Sequence, residues 1–337
     1  MLRRFAALGL VLAAAALLIP ACNGDDEVRL IVYSGRSPNL IGPMFDKFEE
    51  ETGIIVEGRY GSTAEMAATL LEEGDNSPAD LFVAQDPGGL GAVESAGLFA
   101  PLPEGAIAAV PAQWRSSQGG WVGLSGRARV LVYNTEAFPN GEGLPASVFD
   151  LTAPEWEGRV GWAPPNGSFQ AFVTAMRVHE GEDVTKQWLE DMIANGVQSY
   201  GNNVQIVEAV AAGEIEVGLV NHYYLHQFLA ERGESYGARN YHFPDGDIGS
   251  LISVAGAGVL KTADHPEEAQ QLLEYLLSEE AQQYFSSETY EYPVISSVEP
   301  SGDVPPLDEL QAPDVDLNDL TDLEGTLDLL REVGALE

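Results

Sequence analysis

The chain of 337 residues holds one cysteine, Cys22, so no disulfide can form within it and the folded part has no cysteine nucleophile. Lysine is nearly as scarce, with Lys47, Lys186 and Lys261 set among arginines. Basic residues are few altogether: 16 Lys and Arg against 53 Asp and Glu leave a formal charge of −37. Such a field repels nucleic acid and anionic membranes and gathers cations, which excludes a nucleic-acid partner. A saline habitat or base composition accounts equally well for the charge, so it identifies no substrate. Catalytic signatures are absent too: there is no H-E-x-x-H, G-x-S-x-G or P-loop, and Gly89-Leu90-Gly91 and Gly256-Ala257-Gly258 are only fragments of G-x-G-x-x-G. Asp80 and Asp86 could serve as an acid–base pair in a hydrolase, but so acidic a chain makes such pairs by chance. Asp314-Val315-Asp316-Leu317-Asn318-Asp319 starts like a calcium loop. It has Asp319 where the sixth position needs glycine and Gly325 where the twelfth needs glutamate. Its acids are expected instead at the N-terminal end of a closing helix that reaches Val333, where negative charge is favourable.

What is present begins with an apolar run at the N-terminus. Arg3 and Arg4 precede residues 5–18, a stretch too short for a mature membrane span, and Ile19-Pro20-Ala21-Cys22 resembles a bacterial lipobox. The reading is a lipoprotein signal peptide over residues 1–21, lipid attachment at Cys22 and a polar tether over 22–27. Its removal would take the charge from −37 to −39. The protein is then exported and held by its lipid on the outer side of the cytoplasmic membrane, in a periplasm or at the cell surface.

From Val28 onward, strand-like and helix-like segments alternate. Apolar stretches at 30–33, 54–60, 81–84, 130–133, 160–163, 215–220 and 251–260 predict strands. Between them, periodic segments such as 168–179, 184–194 and 204–212 predict helices, and Ser62-Thr63-Ala64-Glu65 fits a capping box. This alternation predicts an α/β fold with parallel sheets covered by helices. No linker divides the chain, so two lobes whose chain crosses between them more than once are expected, as in hinged binding proteins.

Asn221-His222-Tyr223-Tyr224 follows the 215–220 strand and precedes a predicted helix over 225–232, where open α/β folds place ligands. Two phenolate oxygens converging there would make a hard, anionic site for a trivalent cation, and tyrosinate ligation of iron has precedent. The same spacing also fits packing against Phe228. His222 and His226, four apart, could share a helix face, but no local cluster completes a zinc site, and His226 reads as a surface or packing residue. Asn166-Gly167-Ser168 stands at a strand-to-helix turn whose free N–H groups suit an anion. Asn203 and Asn221 occupy similar loop positions.

Val32-Tyr33-Ser34-Gly35-Arg36, Ser77-Pro78-Ala79-Asp80, Leu124-Ser125-Gly126-Arg127-Ala128-Arg129-Val130 and Asn221-His222-Tyr223-Tyr224 resemble, in order and spacing, the bacterial ferric-ion-binding proteins, substrate-binding components of iron ABC transporters. The resemblance covers the chain from Val28 to its end. It implies a type II periplasmic-binding-protein fold: two α/β lobes joined by a two-strand hinge, with the ligand cleft between them. Lobe 1 would take 28–126 plus 254–305, and lobe 2 would take 127–253 plus 306–337. It also implies iron(III) ligation by Tyr223 and Tyr224. A synergistic phosphate or carbonate would be held by Asn166, Gly167, Ser168, Asn203 and Asn221. Where some members carry a histidine ligand, this chain has Ser37; where they carry a glutamate ligand, it has Gln85, followed by Asp86. Asp86 and Gln85 are thus candidates for the remaining iron positions, and Arg36 and Ser37 for the anion. The implied protein is a monomeric receptor, not an enzyme, that delivers iron to a membrane permease. The alternative is the same fold binding a metal-free organic or phosphorylated anion.

Overall fold

Nine strands form the framework: β1 (Arg29–Ser34), β2 (Ile55–Tyr60), β3 (Leu81–Ala84), β4 (Val122–Asn134), β5 (Val160–Trp162), β6 (Gln198–Ser199), β7 (Val217–Asn221), β8 (Ala238–Tyr241) and β9 (Ile252–Val259). The computed structural model describes residues 27–302 and 304–337; the segment expected to be a signal peptide, and Cys22, lie outside the described residues. Strand order is β2-β1-β3-β9-β4-β7-β5-β6, with β8 on β4. Pairing within β2-β1-β3 and within β7-β5-β6 is parallel, and every pairing of β4 or β9 is antiparallel. The sheet is therefore mixed, not purely parallel as the alternation of elements predicts.

The two antiparallel strands join the halves. Residues Val122 to Ala128 of β4 pair with β9, while Arg129 to Asn134 pair with β7 and β8. At ~3.4 Å per residue its thirteen residues reach from one half of the fold into the other. Gly256 and Gly258 of β9 let this ladder close tightly: a Cβ at either would lie 2.7 Å from the Val122 carbonyl oxygen or 2.5 Å from that of Gly120. A third segment leans on the same place. Tyr292 exchanges both backbone hydrogen bonds with Gly126, at 2.7 and 2.8 Å.

Each strand of the two parallel groups runs into a helix: Pro38–Thr52, Thr63–Glu73 and Pro87–Ser95 in the first, Gly167–Glu180, Asn203–Ala212 and Tyr223–Arg232 in the second. Their N-termini thus gather at the carboxyl ends of the strands, where ligands bind in open α/β folds. The expected capping box at Ser62 forms, with Glu65 answering the Ser62 N–H. The closing helix is Leu323–Glu332, capped by Asp322; the 314–319 acids precede it and do not cap it. It packs on Gly167–Glu180, where Thr174 and Thr326 hydroxyls meet at 2.7 Å. No described helix is long and apolar enough to cross a membrane.

The scarce basic residues divide sharply. Those on the described surface are each tied to a carboxylate, or, for Lys261, to the Gly97 carbonyl. Such exposed pairs add little to stability. Arg36, Arg127 and Arg129 are buried. Three guanidinium groups removed from water in so acidic a chain demand an explanation from the site.

Candidate ligand cleft

The cleft is assembled from one loop end per strand. From the first half come Arg36, after β1, and Gln85 and Asp86, after β3. From the second come Asn166, Gly167 and Ser168 after β5, Asn203 after β6, and Asn221 at the end of β7 with the tyrosines after it. Arg127 and Arg129 stand on β4 between them. All but Asn166, Gly167 and Tyr224 are buried, and the halves are in contact. Gln85 Nε2 donates to Tyr223 Oη at 3.0 Å across the cleft. The sequence-predicted site is thus brought together, with one exception: Ser37 is exposed at the start of the Pro38–Thr52 helix, and its side chain makes no cap hydrogen bond. A hollow of about 730 Å³ bordered by Leu102, Arg115 and Asn318 lies elsewhere on the surface.

The tyrosines stand in the first turn of Tyr223–Arg232, not in a turn before it, because the helix starts two residues earlier than its apolar pattern suggests. Their ring centroids are 4.2 Å apart. Burial raises the Tyr223 pKa well above that of an ordinary phenol, as does the neighbouring Tyr224; Arg127 opposes the rise. His222, the N-cap residue, is committed to structure. Its Nδ1 accepts from Ala128 N–H at 3.1 Å, and its Nε2 lies 2.8 Å from the Tyr290 carbonyl oxygen. These partners define the neutral Nε2–H form, and burial, with His226 and His242 nearby, lowers its pKa to about 3. His226 stacks on Tyr290. Among the described residues no group of three or more His, Cys, Asp or Glu is placed to hold a metal.

Glu291, which sequence reasoning missed, compensates two of the arginines. Arg36 grips it with both terminal nitrogens, at 3.1 and 2.6 Å, and Arg127 Nη2 lies 3.3 Å from Oε1. Ser125 accepts from Arg36 and donates to Glu291 at 3.0 Å. Burial would raise the Glu291 carboxyl, but Arg36 and Arg127 hold it at about 2. Arg36 is thereby occupied by protein: among its nitrogens only Nε lacks a partner. Nothing in the sequence singles out Glu291: it is one of 53 acidic residues.

Unpartnered atoms map what the cleft offers a ligand. Buried oxygens without a donor are Gln85 Oε1, Asp86 Oδ2 and Asn203 Oδ1; buried nitrogens without an acceptor are found on Arg127, Arg129 and Asn221. Burial raises the Asp86 pKa to about 6, against the pull of Gly89 N–H and Arg127. At neutral pH its ionised Oδ2 lacks a donor, a cost that a cation would remove. Asp80 is elsewhere. It precedes β3 whereas Asp86 follows it, and its oxygens accept from Ile31 and His265 N–H groups. The two carboxylates do not form the acid–base pair of the hydrolase reading.

Gly167 sits where the halves touch. A Cβ there would lie 2.6 Å from Asp86 Oδ2. Gly167→Val is therefore expected to hold the cleft open. Small-angle scattering should give a larger radius of gyration than wild type, unchanged by ligand, with ligand affinity at least tenfold weaker and the unfolding midpoint unaltered.

Two α/β halves, joined by a pair of crossing strands over a charged polar cleft, have the architecture of a solute-binding protein. Residues 76–319 match the family model for bacterial extracellular solute-binding proteins. The chain is 34% identical over 318 residues to the Fe(3+)-binding periplasmic protein of Serratia marcescens, covering 94% of this chain and 93% of that one. It is 32% identical over 311 residues to the major ferric iron-binding protein of a Neisseria meningitidis strain, covering 90% and 92%. Iron-bound HitA from Pseudomonas aeruginosa matches the fold with a TM-score of 0.87 at 36% identity, over 91% of this chain and 99% of that one. The chain belongs to the bacterial ferric-ion-binding family of extracellular solute-binding proteins, with the type II periplasmic-binding-protein fold, and it is a binding protein and not an enzyme.

Proposed function

We propose that this protein is an exported receptor that captures ferric iron together with an oxyanion and hands the iron to the permease of an ABC transporter. The observation that carries this reading is the division of unpartnered atoms: acceptors on Asp86 and on Gln85, whose amide donates to Tyr223 Oη, and donors on Arg127, Arg129 and Asn221. A cation and an anion bound side by side would satisfy both sets. Tyr223 and Tyr224 would ligate as phenolates, and Asp86, Gln85 Oε1 and the anion would fill the remaining positions. Asn166, Gly167, Ser168, Asn203 and Asn221 would hold the phosphate or carbonate, aided by the N-terminus of Gly167–Glu180. Arg36, tied to Glu291, would act through its charge, and Ser37 is exposed. The relatives named above are iron-binding, and periplasmic in the Serratia case, which supports export. Lobe 1 would comprise 28–126 plus 254–305, and lobe 2 would comprise 127–253 plus 306–337, with Cys22 carrying the lipid after cleavage of 1–21. The receptor would work as a monomer.

A second reading has a specific observation behind it. Three arginines against Glu291 and Asp86 leave the ligand-free cleft basic, which suits a metal-free organic or phosphorylated anion. A putative 2-aminoethylphosphonate-binding protein of Salmonella typhi is 24% identical over 263 residues. Elemental analysis of the protein as isolated separates the two. The iron reading expects close to one iron per chain, whereas a metal-free protein carrying a phosphorus-containing or organic anion overturns it.

A further inference from the structure

Arg129 is the buried arginine that Glu291 does not reach. It is 2% exposed, and no described carboxylate forms an ion pair with it. Its planar group lies over the rings of Phe169 and Phe172, at 5.8 and 5.3 Å. Its Nη1 donates to Asn221 Oδ1 at 3.4 Å, while Nε and Nη2 have no partner in the protein. Leaving a guanidinium buried without a counter-charge is strongly unfavourable, and the anionic groups within its reach would be Tyr223 and Tyr224 as phenolates and whatever anion enters the cleft.

The contact with Asn221 has a second consequence. An amide whose oxygen is engaged by an arginine must present its nitrogen on the other side. Asn221 Nδ2 is buried and unpartnered. Arg129 and Asn221 are register partners on β4 and β7, and Asn221 is the last residue of β7 before the tyrosine turn. The pair therefore offers donors and one uncompensated positive charge at the root of the Tyr223–Tyr224 turn, opposite in character to the acceptors of Gln85 and Asp86.

We propose that Arg129 is a positioning residue that sets the requirement for an oxyanion: it fixes the Asn221 amide with its N–H₂ toward the ligand and supplies the positive charge that the anion neutralises. The inference rests on the ferric-iron reading and deepens it. The bound charge then follows. Arg36, Arg127, Arg129 and iron(III) carry six positive charges; Glu291, Asp86 and two phenolates carry four negative ones. A dianion such as carbonate or hydrogen phosphate closes the difference, and a monoanion does not. Removing the Arg129 charge makes a monoanion sufficient.

The test titrates iron(III) into metal-free protein at fixed pH over a range of inorganic phosphate, reading the visible tyrosinate colour. Arg129→Gln is expected to need at least tenfold more phosphate for half-maximal colour and to lose the advantage of phosphate over formate, with the unfolding midpoint measured alongside. Arg129→Lys, which keeps the charge but not the fork that orients Asn221, should fall between the two. A wild-type phosphate dependence in Arg129→Gln overturns the inference. If that variant does not fold, a wild-type dependence in Arg129→Lys overturns it equally. Absence of colour in the wild-type protein at every phosphate concentration instead sinks the ferric-iron reading itself.

Discussion

Replacing both tyrosines, Tyr223→Phe with Tyr224→Phe, is expected to abolish the visible colour and weaken ferric-iron binding by at least about a thousandfold, or about 4 kcal/mol. The phenol oxygens are the anionic ligands of the proposed site, and no His, Cys, Asp and Glu cluster among the described residues could replace them. Gln85 and Asp86 alone offer one amide oxygen and one carboxylate. The cost to folding should be smaller. Gln85 Nε2 loses its acceptor on Tyr223, which leaves one buried donor unpaired at about 1–3 kcal/mol. Iron binding by equilibrium dialysis and unfolding by urea separate the two effects. Iron affinity that survives the double substitution would remove the tyrosines from the site.

Glu291→Gln should have the largest effect on stability. It takes the counter-charge from Arg36 and Arg127, both buried, and breaking such a pair costs roughly 3–5 kcal/mol. The loss would be felt at the hinge, because Glu291 lies beside the Gly126–Tyr292 bridge where β4 leaves the first half. The carboxyl also makes an acid dependence. Its folded pKa of about 2 lies below the ordinary 4.5, so it binds fewer protons folded than unfolded at intermediate pH. The stability it contributes is complete above about pH 4.5 and is lost as pH falls toward 2. Urea midpoints of wild type and Glu291→Gln should therefore converge on acidification through that window and stay apart at neutral pH. Midpoints that differ equally at pH 3 and pH 7 would contradict the account.

Much of the fold was legible because it obeys simple periodicity. The apolar strands 30–33, 54–60 and 81–84 coincide closely with β1, β2 and β3. The helices around 168–179, 184–194 and 204–212 are present with modest changes at their ends. The long strand β4 was not legible. Only 130–133 is uniformly apolar, and Ser125, Arg127 and Arg129 break the pattern of a buried strand. Those departures are the informative residues, since a local rule broken inside a core is commonly broken for function. Likewise the tyrosine pair stood out by its motif, whereas Glu291 is one acid among many and is singled out only by the tertiary contacts that bring it to Arg36 across 255 positions.

The second half of the cleft shows the same limit. Asn166, Gly167, Ser168, Asn203 and Asn221 were found from their positions at strand ends; Asn203 donates to Asn166 at 3.4 Å, and Asn221 ends β7 just before His222 and the tyrosines. What sequence could not supply is the inventory of satisfied and unsatisfied atoms. Asp80 and Asp86 look alike in the chain, yet both oxygens of Asp80 are engaged by backbone N–H groups, while Asp86 Oδ2 has none.

The claim that the cleft binds iron through phenolates is tested most directly by titrating metal-free protein with iron(III) at neutral pH, with bicarbonate or phosphate present, and recording the visible spectrum. The account predicts a saturable charge-transfer band that reaches its plateau at one iron per chain. A protein that stays colourless and takes up no iron under these conditions would contradict it.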